Sequence, residues 1–142
     1  MQDDLAIPTL RLSHAGALRM LTLAMEEADR RAEPQCITVC DAAGTVIAQV
    51  RMDGARLNAL AISETKARTS ASTRAASGPD PEDAVVALAC AGQQTGLVGG
   101  LPIWLDGMHV GGIGVSSGPA DIDLACARAA FAASDRLSPE QP

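Results

Sequence analysis

Trp104 and Phe131 are the only aromatic residues in this 142-residue chain, and there is no Tyr. A core must then be filled by Ala, Val, Leu, Ile and Met, whose modest volumes bring neighbouring layers close together. The shortage of rings predicts helices seated closely on a sheet, without bulky layers between them. It also leaves few rings to stack on a planar ligand.

The order of elements follows from periodicity and punctuation. Ser13 is placed to cap a helix running to about Ala32, with Leu18, Leu21, Met25 and Ala28 as its apolar stripe, and Pro34 stops it. Cys36 to Cys40 and Thr45 to Met52 read as two strands joined by the turn residues Asp41 to Gly44. The segment from about Leu57 to Ala76 has helical spacing at Leu60, Ile62, Lys66 and Thr69, although its Ser and Thr weaken the propensity. Gly78-Pro79-Asp80-Pro81 breaks the chain before a short helix, Glu82 to Ala91, and Gly92 to Gly100 reads as a flexible loop. Asp106-Gly107, between Leu101 to Leu105 and Met108 to Ser116, is the clearest hairpin signal, because a type I′ turn needs positive φ at both positions. Pro119 opens a last helix reaching about Arg136, and the tail from Ser138 to Pro142 is expected to fray.

Two hairpins joined and flanked by helices make an α+β layout with one largely antiparallel sheet of about five strands. The length fits one domain over residues 1–142, with a core at about 12–136 and flexible ends. A net charge of −6 and a pI near 4.7 argue against nucleic acid as a partner. Met1-Gln2-Asp3-Asp4 lacks the basic start of a secretory signal, and no apolar run reaches the roughly 18 residues of a membrane span, so a soluble cytoplasmic protein is expected. Cys36, Cys40, Cys90 and Cys126 are expected to be free thiols. Cys36 and Cys40 share a strand face but stand roughly 13 Å apart, too far for one zinc ion, and no metal site is expected.

Several features bear on chemistry. Gly111-Gly112-Ile113-Gly114-Val115-Ser116-Ser117-Gly118 passes from strand to helix almost without side chains. Its N–H groups can cradle a carboxylate or phosphate, or its glycines can let a helix cross close over the sheet; both readings stand. Gly114-Val115-Ser116-Ser117-Gly118 formally matches a nucleophile elbow, but both histidines, His14 and His109, precede Ser116, which denies it a hydrolase triad. Arg51-Met52-Asp53-Gly54 puts a cation and an anion at a strand end, where Arg51 can clamp a carboxylate and Asp53 can orient it or act as a base, unless the two simply pair to pin the loop. Lys66 shares a helix face with Ile62 and Thr69 and can either point inward, where burial lowers an amine's pKa, or lie exposed as most lysines do. Asp121 and Asp123 are accounted for by the dipole at a helix start. His14, at a helix start, and His109, within a strand, are isolated candidates for binding a metal or haem iron.

Taken together, the segments resemble the GlcG/HbpS haem-binding family, which includes the C-terminal domain of PduO-type proteins. The resemblance rests on Val39-Cys40-Asp41-Ala42-Ala43-Gly44, Arg51-Met52-Asp53-Gly54, Lys66-Ala67-Arg68-Thr69, Gly99-Gly100-Leu101-Pro102-Ile103, Gly111 to Ser116, and Asp123, in order over about residues 12–133. It implies a profilin-like fold, homo-oligomers from dimer to octamer, and a cleft in which Arg51, Asp53, Lys66, Gly100, Gly114, Ser116 and Ser117 bind a small-molecule ligand. Ser116-Ser117-Gly118 departs from the family's more usual Ser-Gly-Gly by one added hydroxyl.

Two functions follow as expectations. One is a binding module that holds a small polar or anionic metabolite, or haem with His14 as the first ligand candidate, and that requires no other cofactor. The other is a cofactor-independent acid/base enzyme acting on a small carbonyl or carboxylate compound, with Asp53 or Lys66 as base, Arg51 as anion clamp and Ser116 with neighbouring N–H groups stabilising an oxyanion.

Overall fold

A computed structural model describes residues 4–142. The elements are α1 (His14–Arg30), β1 (Cys36–Asp41), β2 (Val46–Arg51), α2 (Ala59–Thr73), α3 (Asp83–Ala89), β3 (Gly100–Leu105), β4 (Met108–Ser116), α4 (Ala120–Ala129), a 3₁₀ turn (Ala130–Ala133) and β5 (Leu137–Ser138). The strands form one antiparallel sheet in the order β2-β1-β4-β3-β5. Helix α2 covers one face, and α1 and α4 cover the other, giving the α+β architecture expected. Among the described residues no helix is long and apolar enough to cross a membrane.

Alternation along the strands divides the work between the faces. Ile37, Val39, Ile113, Val115, Leu101 and Ile103 meet Ala17, Met20, Leu21, Ala24 and Ala28 of α1 and Cys126 and Ala127 of α4. The stripe of α1 is therefore rotated from the expected one: Ala17, Met20 and Ala24 enter the core, while Leu18 stays 51% exposed. Ser13 caps α1 as expected, its hydroxyl accepting from Gly16 N at 3.0 Å.

The α2 face is built from small residues. A Cβ at Gly112 would stand 2.2 Å from Ala67 O, one at Gly114 2.0 Å from Ser63 O, and one at Gly100 2.4 Å from Lys66 O. The helix backbone thus lies directly on the sheet. Its buried side is correspondingly short, with Ser63, Ala67, Ser70 and Ala71, and Ser63 Oγ lies 2.8 Å from Thr38 Oγ1. The face keeps two buried free thiols, Cys36 and Cys40. Burial pushes the Cys40 thiol up to about 11, which makes it a small core residue instead of a nucleophile.

The second hairpin turns at Asp106 and Gly107 with φ of +50° and +78°, the pair of left-handed residues that the dipeptide predicts. Two segments are more ordered than their composition suggests. The stretch after α3 is tied down where Thr95 N donates to Thr69 Oγ1 (3.0 Å) and Ser77 Oγ donates to Leu97 O (2.7 Å). The tail expected to fray supplies β5, whose Leu137 and Ser138 pair with Leu105 and Trp104.

The outer edge of β3 is closed along its length. Gly100 exchanges bonds with Ser77, its N–H reaching Ser77 Oγ (2.8 Å) and its carbonyl accepting from Ser77 N (3.0 Å). Trp104 pairs with β5, and Pro102, in register between them, has no N–H to leave open.

Candidate functional site

Lys66 leaves α2 and passes the end of the sheet where Gly99 and Gly100 carry no side chain; a Cβ at Gly99, which has φ +129°, would stand 2.9 Å from Lys66 Nζ. The ammonium donates to Val115 O at 2.8 Å and to Asp123 Oδ2 of α4 at 3.0 Å. Both residues are almost fully enclosed, at 3% exposure each. Asp123 Oδ1 accepts from Gly118 N at 3.0 Å. With the Gln35 amide assigned so that its NH₂ faces acceptors, it donates to Ser116 O (2.7 Å) and to Asp123 Oδ1 (3.0 Å).

This cluster joins the two helical layers around the end of the sheet. Burial pushes the Lys66 amine below its ordinary pKa, and the Asp123 carboxylate pulls it part of the way back. Burial likewise raises the Asp123 carboxyl, opposed by Lys66, Gly118 N–H and Gln35. Desolvation leads for both partners, so the pair holds the layers in register more than it adds net stability.

The expected site residues are distributed accordingly. Lys66 points inward, one of the two orientations its spacing allows, but it is engaged by a partner 57 positions away. Asp123 enters the sequence reading only through the family resemblance and as a helix-start carboxylate, and nothing local marks Gln35. Gly100 and Gly114 make room for α2, with backbone carbonyls where a ligand would have to enter. Ser116 is buried beside them at the end of β4. Ser117 has φ +120°, a strained value for a residue with a side chain, and its hydroxyl accepts from Arg56 N at 3.0 Å. That bond explains the added hydroxyl of the turn: it ties the segment before α2 to the segment before α4.

Arg51 and Asp53 lie on the surface, and neither side chain makes an ion pair or hydrogen bond among the described residues. The loop is therefore not pinned by an Arg51–Asp53 pair. Arg51 stands in register with Cys36, which pairs in turn with Ser116, so these three share one row. Asp53 and Lys66, the alternative bases of the acid/base reading, share no hydrogen bond or ion pair among the described residues. His109 meets Trp104 edge-on, 5.3 Å between ring centroids, with its Nε2 buried and unpartnered. His14 is exposed at the first position of α1.

Clefts of about 380 and 420 Å³ flank α2 and α3, and further open space lies along α1. An apolar groove of about 600 Å³ runs along the outer face of α1, lined by Ala15, Leu18, Thr22, Leu23 and Ala133 with Arg19 and Glu26 at its sides. Leu18, Thr22 and Glu26 form a row at four-residue spacing. His14, exposed at the start of α1, stands four residues before Leu18 and is not among the residues that line the groove.

Residues 12–132 match the model of the family described as haem degrading protein, HbpS-like. The chain belongs to the HbpS-like family. The fold agrees with solved structures of the group. A PduOC:heme complex matches this HbpS-like chain with a TM-score of 0.82 and 25% identity, over 93% of this chain and 100% of the other. A double mutant of Streptomyces reticuli HbpS matches with a TM-score of 0.81 and 26% identity, over 93% and 92%. Klebsiella pneumoniae protein ORFY, at 20% identity, shares the fold with a TM-score of 0.85 over 94% and 97%. No curated protein sequence matches the chain significantly.

Proposed function

We propose that this HbpS-like chain is a small-molecule-binding protein whose ligand is haem, held in the groove along α1. The observation that carries the reading is the apolar groove along α1, lined by Leu18, Thr22 and Leu23, with the exposed His14 four residues before Leu18 and outside that lining. The donor set fits the group: a neutral imidazole ligates iron, Ala15, Leu18 and Leu23 offer an apolar bed, and Arg19 can receive a carboxylate. Haem, when bound, supplies a redox-active iron. The chain's own residues supply the ligand, the apolar cover and the countercharge. The likeness to a PduOC:heme complex supports the same ligand class.

Haem titration of the full chain tests this. The wild type is expected to shift the Soret band, His14→Ala to lose the shift, and His109→Ala to keep it, since His109 lies against Trp104 on the opposite side of the sheet. No shift with the wild type, or an equal shift with His14→Ala, refutes His14 ligation. The family resemblance also favours homo-oligomers between dimer and octamer in the cytoplasm, and light scattering measures the first part of that statement.

A further inference from the structure

Of the eleven cationic side chains five make ion pairs among the described residues, and Arg51, Arg56, Arg74 and Arg128 are among those that do not. Arg30 and Arg31 pair with Glu27, Arg68 with Glu64, Arg136 with Asp106 and Lys66 with Asp123. Arg11 and Arg19 make no ion pair among the described residues, yet both line the same cleft. It measures about 360 Å³, sits beside the first turn of α1, and has Leu12, Leu105 and Leu137 among its apolar walls. Arg136 lines it too, held by Asp106 through bonds of 3.0 and 2.9 Å from Nε. Two free guanidinium forks over an apolar floor suit an acid group attached to a hydrophobic body.

The cleft adjoins the groove described above, with Arg19 and Ala133 lining both. We propose that Arg11 and Arg19 are the carboxylate-binding end of the ligand site and select amphipathic acids over their neutral counterparts. The inference rests on the α1 groove as the ligand site, but not on iron or on His14. Arg136, fixed by Asp106, shapes the wall without having to pair with the ligand. Arg11 and Arg19 are solvent-exposed, so their attraction is screened by salt and works as selectivity more than as raw affinity.

The test uses the full chain with three probes: metal-free protoporphyrin IX, its dimethyl ester, and octanoate. The wild type is expected to bind the diacid roughly tenfold tighter than the diester, the scale of one charge-assisted contact in a partly wet site. Arg11→Gln/Arg19→Gln is expected to erase that preference while leaving the melting temperature and the diester affinity unchanged. Arg19→Lys, which keeps the charge without the fork, should retain part of it, and Arg128→Gln, outside the cleft, all of it. Equal wild-type affinity for diacid and diester overturns the proposal, as does a preference that survives the double substitution. If neither porphyrin binds, the haem reading fails, and octanoate then decides the arginine cleft. Octanoate binding that is lost in the double variant upholds the cleft, and no octanoate binding overturns it.

Discussion

The two faces of the sheet are made in opposite ways. On the α1 and α4 face, branched aliphatic side chains of the strands interlock with Ala and Met of the helices, and apolar surface is left over along the outside of α1. On the α2 face, backbone rests on backbone through Gly100, Gly112 and Gly114, and the polar groups between the layers bond to one another. The difference teaches where a binding site can be. Gly100, Gly112 and Gly114 bring α2 down onto the sheet, while the groove along α1 lies beside an ordinary amphipathic helix.

The strongest way to break this comparison is to remove half of the ion pair. Lys66→Ala leaves the Asp123 carboxylate buried without its countercharge and is expected to cost about 3–5 kcal/mol in denaturant unfolding. Lys66→Met combined with Asp123→Leu should recover most of that loss, because no charge is then left desolvated. A single variant as stable as wild type would contradict a buried cluster and reopen Lys66 as a ligand-facing amine.

Next in size is a one-methyl experiment on each face. Gly114→Ala adds a Cβ that would fall 2.0 Å from Ser63 O, so α2 must lift, and a loss of about 3 kcal/mol is expected. Ile113→Val, one residue away on the opposite face, removes a methylene from side-chain packing and should cost only about 0.5–1.5 kcal/mol. Comparing their denaturation midpoints sharpens the contrast. Equal losses would mean that the α2 face yields as readily as the other.

The smallest effect is a pH dependence. Burial and the nearby Arg74 hold the His109 imidazole below its ordinary value of 6.5, against a backbone bond to Gly111 that favours the proton. A lowered folded-state pKa means that the unfolded chain binds the proton first, so stability is full above about pH 6.5 and declines as pH falls through the folded value. Melting temperatures of wild type and His109→Phe, followed from pH 7.5 to about 5, should converge in slope only if another group dominates. A flatter profile in the variant is the expected result.

Local chemistry made several elements readable. Asp106-Gly107 names its own turn, Ser13 its own cap, and the breaker Gly78-Pro79-Asp80-Pro81 ends the α2 region before α3 begins. The aromatic shortage pointed to close packing of helix on sheet, and the glycines of β3 and β4 realise it. What could not be read depends on contacts distant in sequence. Leu18 fits an apolar stripe as well as Met20 does, and only the position of the sheet decides which enters the core. The two residues of β5 have no strand signal of their own and exist because Trp104 and Leu105 lie beside them. Lys66 could be read as inward-facing, but its partner could not, since Asp123 satisfies a helix start equally well.

The closed edge of β3 bears on how copies of this chain can assemble. Exposed strand edges invite further strands, and a sheet open on both sides can grow without limit. Here β2 is the long edge strand, while the opposite edge ends in the two-residue β5, with Ser77 bonded to Gly100 and Pro102 offering no N–H. Two copies joined along β2 would share a ten-stranded sheet with β5 at both ends. A short, partly covered second edge of this kind disfavours continued growth of the sheet beyond a pair.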